Sequence, residues 1–281
     1  MAGPLKTLLE GLAFPEGPRW RDGELYFSDM HSHEVVAMKP DGSRRTHYKH
    51  NDAVSGLGWL PDGRMLVVSM IDRRLLRLEG GKAVQHADLS GIATGNVNDM
   101  VVDAAGRAYV GNFGFEYPNG EPKAAKMARV DADGATSVAA DELMFPNGTV
   151  ITPDGRTLIV GESMAGRLTA YDIGADGALS NRRVWAQLQG GAVPDGICLD
   201  AEGAIWVASP STNNAIRVRE GGEVLDQVDA DRGVYACMLG GADKKTLYLL
   251  TAKSTDPDEC RALKSGRIEA AQVDVAGAGL P

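Results

Sequence analysis

Only three cysteines, Cys198, Cys237 and Cys260, occur in 281 residues. So small and odd a set cannot build a disulfide framework and points to a reducing, cytoplasmic setting. Cys198 and Cys237 lie in apolar runs and read as packing residues, not nucleophiles. No apolar run approaches the length that spans a bilayer. The opening "MAGPLKTLLEGLAF" lacks the basic start and long apolar core of a secretion signal. Positive charge is short too. Lys and Arg number 29 against 38 Asp and Glu, a net charge of -9, which argues against nucleic acid and anionic membrane as partners. All five histidines stand at or before His86, and no long helical periodicity is found.

What is abundant is glycine, with 35 residues, alongside 13 prolines, a composition suited to many short strands joined by tight turns. The stretch "VPDGICLDAEGAIWVASP" at 193–210 is an apolar strand, a polar turn and a second apolar strand. Five relatives of it follow one another along the chain. They are "FPEGPRWRDGELYFSD" from Phe14, "SGLGWLPDGRMLVVSM" from Ser55, "NDMVVDAAGRAYVGNF" from Asn98, "PNGTVITPDGRTLIVGES" from Pro146 and "ACMLGGADKKTLYLLTA" from Ala236. Each pair leads into a third strand-like segment, such as "HEVVAMKPDG" or "GRLTAYDIGADG", and often a looser polar fourth, such as "RRTHYKH" at 44–50. Six such units predict an all-β fold, a six-bladed β-propeller with four-stranded blades, as one domain over residues 1–281. A blade buries its faces only against its neighbours, so the ring must close. Segments 5–12 and 266–275 are placed to close it, one terminus lending a strand to the other's blade.

Aligning the units on their turn glycines puts Glu16, Ser55, Asn98, Asn147, Asp195 and Ala236 in equivalent positions, 39 to 49 residues apart. First strands line the central channel of a propeller, so these positions form a ring at one mouth. In a single blade, Asp or Asn before a strand is an ordinary turn residue. Four carboxylate or amide side chains in register are harder to explain that way, and Glu16 least of all. Oxygen donors with two formal charges suit a hard divalent cation, Ca²⁺ first, with Mg²⁺ and Mn²⁺ as alternatives. Zn²⁺ fits the ligand type less well, because no His or Cys joins the ring.

"FPEGPRW", "VNDMVVDAAGR", "FPNGTVITPDGRTL" and "VPDGICLDAEGAIWVA" resemble, in order and over essentially the whole chain, the regucalcin (senescence marker protein)/gluconolactonase/luciferin-regenerating-enzyme-like family of six-bladed propellers. The resemblance implies a lactone hydrolase with one divalent metal. It implies Glu16, Asn147 and Asp195 as the metal ligands, Asp195 also as general base, and Asn98 touching substrate or completing coordination. Sugar-lactonase members carry Arg-x-Asn-Asp-Gly in the third blade, where this chain reads Asn96-Val97-Asn98-Asp99-Met100.

Such chemistry needs an activated water and stabilisation of the charge on the carbonyl oxygen. Other machinery is scarce. "GESMA" at 161–165 lacks the last glycine of a nucleophile elbow, so Ser163 reads as a loop residue, and His31 and His33 read as loop residues on the ligand face. Loops after second strands overhang the site. The longest are 114–123, beside Phe113, Phe115 and Tyr117, and the polar loop 253–266. With Asn96 for arginine and Met100 for glycine, those aromatics predict a drier pocket that favours alkyl- or aryl-substituted lactones. The partner expected is a small lactone, and the assembly a monomer or weak homo-oligomer. Two other functions compete: a related esterase or phosphotriesterase, and a non-catalytic propeller that binds calcium or a partner protein.

Overall fold

The computed structural model describes residues 2–281. Its strands form six four-stranded antiparallel sheets, arranged as a six-bladed β-propeller. Five blades are simple meanders over residues 15–49, 54–88, 97–143, 146–187 and 197–229. The sixth combines residues 233–272 with the N-terminal strand Lys6–Leu12, which pairs antiparallel with Gly266–Gln272, Lys6 opposite Ala270. The ring closes as the two terminal segments predict. Trp20 of the first blade stacks on Tyr248 of the sixth, centroids 5.6 Å apart, and seals that junction.

Local sequence explains the hairpins. Asp22 and Gly23 both adopt positive φ, the pair of conformations that a tight two-residue hairpin needs. Asp103, Asp154 and Asp200 each accept a hydrogen bond from the backbone N–H two residues on, at 2.9, 3.1 and 2.9 Å, which holds the turn shut. Second strands such as Met65–Ser69 and Ile205–Ser209 are buried throughout, whereas the fourth strand Arg44–Lys49 is almost wholly exposed. Burial between blades explains the near-continuous apolar runs of the inner strands. Cys198 and Cys237 are both buried, with their sulfurs 3.8 Å apart, and all three cysteines are free thiols.

Crowding at the axis accounts for the glycine that follows several ring residues. A Cβ on Gly148 would lie 2.5 Å from the Asp195 carbonyl oxygen, and one on Gly196 would lie 2.7 Å from Ala236 Cα. Their N–H groups instead bond the next blade, Gly148 to Asp195 O at 3.1 Å and Gly196 to Tyr235 O at 2.8 Å. The "NG" and "DG" pairs therefore combine a polar side chain for the channel with a bare Cα for blade-to-blade contact.

The C-terminal segment was not anticipated as structure. Residues 276–280 run across the far end of the first strands. Ala201 N–H donates to Ala276 O at 2.8 Å, Ala278 N–H to Leu199 O at 3.0 Å, and Ile151 and Leu280 exchange bonds of 2.8 and 2.9 Å. The segment thus ties blades four and five together opposite the mouth.

Candidate functional site

The first strands of blades one to four carry a register shift at the ring position, between Glu16 and Arg19 in the first blade and between Pro146 and Thr149 in the fourth. A bulge of this kind re-aims one side chain. Glu16, Asn98, Asn147 and Asp195 all line a single cavity at the mouth, of about 1220 Å³. Loops after all six second strands overhang it, through Met30, Met70, Tyr117, Ser163, Ser211 and Thr255.

A chain of hydrogen bonds crosses four blades and orients the amides. Ser55 Oγ donates to Asn98 Oδ1 at 3.2 Å, Asn98 Nδ2 to Asn147 Oδ1 at 3.0 Å, and Asn147 Nδ2 to Ser163 Oγ at 3.3 Å. Ser163 Oγ then donates to Pro194 O, beside Asp195, at 2.7 Å. Ser163 opens the short 3₁₀ turn Ser163–Ala165. It follows a second strand, but its position against Asn147 emerges only with the ring.

The site is short of positive charge. Gly17 N–H donates to Glu16 Oε2 at 2.8 Å, yet neither Glu16 nor Asp195 has an ion-pair partner among the described residues. Burial and the Asp195 charge raise the Glu16 carboxyl well above its ordinary value. Burial and the Asp99 charge push Asp195 up to about 8, against a hydrogen bond from Asn147 that lowers it. Two acids held together without a counter-charge resist ionisation, and a bound cation would relieve both. The donor set of two carboxylates and amide oxygens fits a hard divalent ion. Among the described residues no three His, Cys, Asp or Glu side chains cluster as a metal site, and the oxygens beside Glu16 and Asp195 in the cavity include the amides of Asn98 and Asn147.

Asp99 is served differently. Arg19, 4% exposed, donates from Nη2 to Asp99 Oδ1 at 2.7 Å, and from Nε and Nη1 to Leu57 O and Pro18 O at 2.8 and 2.7 Å. This buried ion pair lies outside the cavity lining. Sequence analysis missed it, because Arg19 is an unremarkable strand residue until three first strands meet.

Other expected contacts divide. Asn96, Phe113 and Tyr117 line the cavity, as do His31 and His33. Met100 is wholly buried in the apolar core and Phe115 is 6% exposed, and both stand outside the lining. Blade six requires a correction. Gly196 N–H donates to Tyr235 O as Gly148 N–H donates to Asp195 O, so Ala236 lies one position past the ring, and Tyr235 is the side chain this strand presents to the cavity. Tyr235 meets Phe14 edge-on at 4.6 Å, and burial and the Asp195 charge push its hydroxyl to about 12. The polar loop 253–266 also carries a helix, Pro257–Leu263, with Asp256 capping the N–H groups of Asp258 and Glu259 and Cys260 buried beneath.

Comparison with known families decides the relationship. Residues 14–253 match the family described as SMP-30/Gluconolactonase/LRE-like region. The chain belongs to this family. Among its relatives, a pentonolactonase of Haloferax volcanii is 26% identical, covering 95% of this chain and 92% of its own. A 6-deoxy-6-sulfogluconolactonase of Pseudomonas putida is 27% identical, over 95% and 93%. The crystal structure of a calcium-binding protein, regucalcin, from Agrobacterium tumefaciens superposes with a TM-score of 0.82 at 20% identity, covering 99% and 97%. The propeller is thus the SMP-30/gluconolactonase fold from end to end.

Proposed function

We propose that this protein is a divalent-metal-dependent hydrolase of lactones. The observation that carries the reading is the pair Glu16 and Asp195, two acids raised by burial in one cavity without a cationic partner. Relatives named as lactonases support the reaction class. The oxygen-only donors, and the calcium-binding name of the Agrobacterium relative, favour Ca²⁺. Three free cysteines agree with a cytoplasmic setting.

Glu16, Asn147 and Asp195 would hold the ion, with Asn98 beside them. When bound, the ion supplies positive charge that polarises the lactone carbonyl and acidifies water. The chain's own residues do the rest. The Ser55–Asn98–Asn147–Ser163 chain of hydrogen bonds fixes the orientation of both amides. Asp195, once ionised, takes the proton of the attacking water. Collapse of the tetrahedral adduct breaks the ring C–O bond, and Asp195 returns the proton to the departing alkoxide. The product is the hydroxy acid.

A lactone panel assayed with and without chelator tests this directly. Turnover that chelator abolishes and Ca²⁺ restores is expected. A protein that binds Ca²⁺ but opens no lactone would instead be a binding propeller.

A further inference from the structure

The cavity is larger and drier than a small polyhydroxylated ring requires. Its volume of about 1220 Å³ exceeds the roughly 300–1,000 Å³ of ordinary small-molecule sites. One wall is a continuous aromatic surface. Phe113 stacks on Phe145 with centroids 4.5 Å apart and planes at 14°, and Tyr117 stands edge-on to both at 5.6 and 5.5 Å. Phe145 enters from the segment before the fourth blade, so two blades build this wall. Thioether side chains, which adapt to irregular apolar shapes, fill the remainder. Met30, Met70, Met144 and Met164 all line the cavity, four of the ten methionines in the chain.

Apolar surface continues to the rim. Eight large hydrophobic side chains are exposed among the described residues, and four are valines on the outer, fourth strands of the blades. The other four, Ile71, Tyr117, Met164 and Leu263, all lie in segments that follow second strands, on the face of the mouth. Exposed apolar groups gathered at one opening mark a binding surface. The lining offers one guanidinium, Arg261, already ion-paired with Asp258. Sugar hydroxyls laid against this wall would lose water without gaining partners.

We infer that the substrate is a lactone bearing an extended alkyl or aryl substituent, which lies along Phe113, Phe145 and Tyr117 and leaves the cavity past Ile71 and Met164. This inference rests on the lactone-hydrolase reading for the ring itself. The wall differs from the one expected from sequence: Phe145 and the methionines build it, not Met100 and Phe115.

The test uses γ-lactones with alkyl substituents from methyl to octyl, on the Ca²⁺-loaded protein. kcat/KM should rise by up to about fourfold per methylene, the factor that full burial of one CH₂ group supplies. It should level off where the chain passes the rim, and gluconolactone should fall below the butyl compound. Phe145→Ala and Ile71→Asp should flatten the rise at long chain lengths, with folding checked by melting temperature. In parallel, the matching γ-alkyl lactams, which resist hydrolysis, are titrated by calorimetry, and their Kd should fall by a similar factor per methylene. Lactams that tighten with length while no lactone opens would sustain the apolar site and refute the hydrolase. Lactones that open with rates flat or falling with chain length, or with gluconolactone preferred, would overturn the inference and leave the hydrolase standing.

Discussion

Replacing Arg19 by methionine removes a cation from the centre of the propeller without leaving a void of equal size. Four acceptors lose their donor: the carboxylate of Asp99 and the carbonyls of Pro18, Leu57 and Met100. Asp99 is 7% exposed and, among the described residues, keeps only the Met100 N–H, at 2.8 Å. Breaking a buried ion pair from one side costs about 3–5 kcal/mol, because the surviving charge stays desolvated. For a domain of this size that corresponds to a fall in Tm of roughly 6–20 °C. Removing both charges in Arg19→Met/Asp99→Leu replaces the pair by apolar contact and should recover most of the loss. Urea unfolding of the wild type, both single variants and the double variant gives the coupling energy, expected above about 2 kcal/mol. Single variants that each cost under about 1 kcal/mol, or costs that simply add, would refute the account of Arg19 as the counter-charge of Asp99.

Asp195→Asn keeps an oxygen donor but loses the base, so kcat should fall about 10²–10⁴-fold and stay low at saturating metal; recovery at high metal would reduce Asp195 to a ligand. Ser163→Ala releases Asn147 Nδ2 and should weaken metal binding and lower activity several-fold with little change in Tm, which titration calorimetry and melting curves separate. Buried Glu162 is pushed up by burial but held below its ordinary 4.5 by the combined bonds from Arg167, Thr169 and the Met144 N–H. Its stabilisation is therefore complete above about 4.5 and lost as pH falls through the lower folded value. Glu162→Gln should be less stable at pH 7 and lose less on acidification, and urea midpoints at pH 7 and 3.5 that move equally in both proteins would contradict this. Deleting residues 276–281 removes the strap across blades four and five and should lower Tm by several degrees while the metal site still binds.

The repeat of apolar strand, polar turn and apolar strand was legible because hairpin chemistry is local. Asp22-Gly23 and Asp103 hold their turns with groups a few residues away. Strand number, blade number and the pairing of Lys6–Leu12 with Gly266–Gln272 follow from periodicity and from the need of a ring to close. The ring positions Glu16, Asn98, Asn147 and Asp195 were legible for the same reason, since equal steps along a repeat become equal places around an axis.

What the repeat could not convey depends on contacts between blades. Blade six breaks the spacing by one residue, so Tyr235 occupies the cavity where Ala236 was expected. Met100 and Phe115 turn into the core because bulges and neighbouring strands, not residue type, choose the face. Arg19 acquires a role only where three first strands converge on Asp99. Phe145 joins Phe113 from the next blade, and the C-terminal segment finds partners as far back as Ile151. Sequence alone determined the repeat, its ring and the oxygen-rich mouth, because each is written in local pattern. The tertiary structure alone decided the cavity wall, the buried counter-charge and the strap, because each joins residues that no periodicity relates.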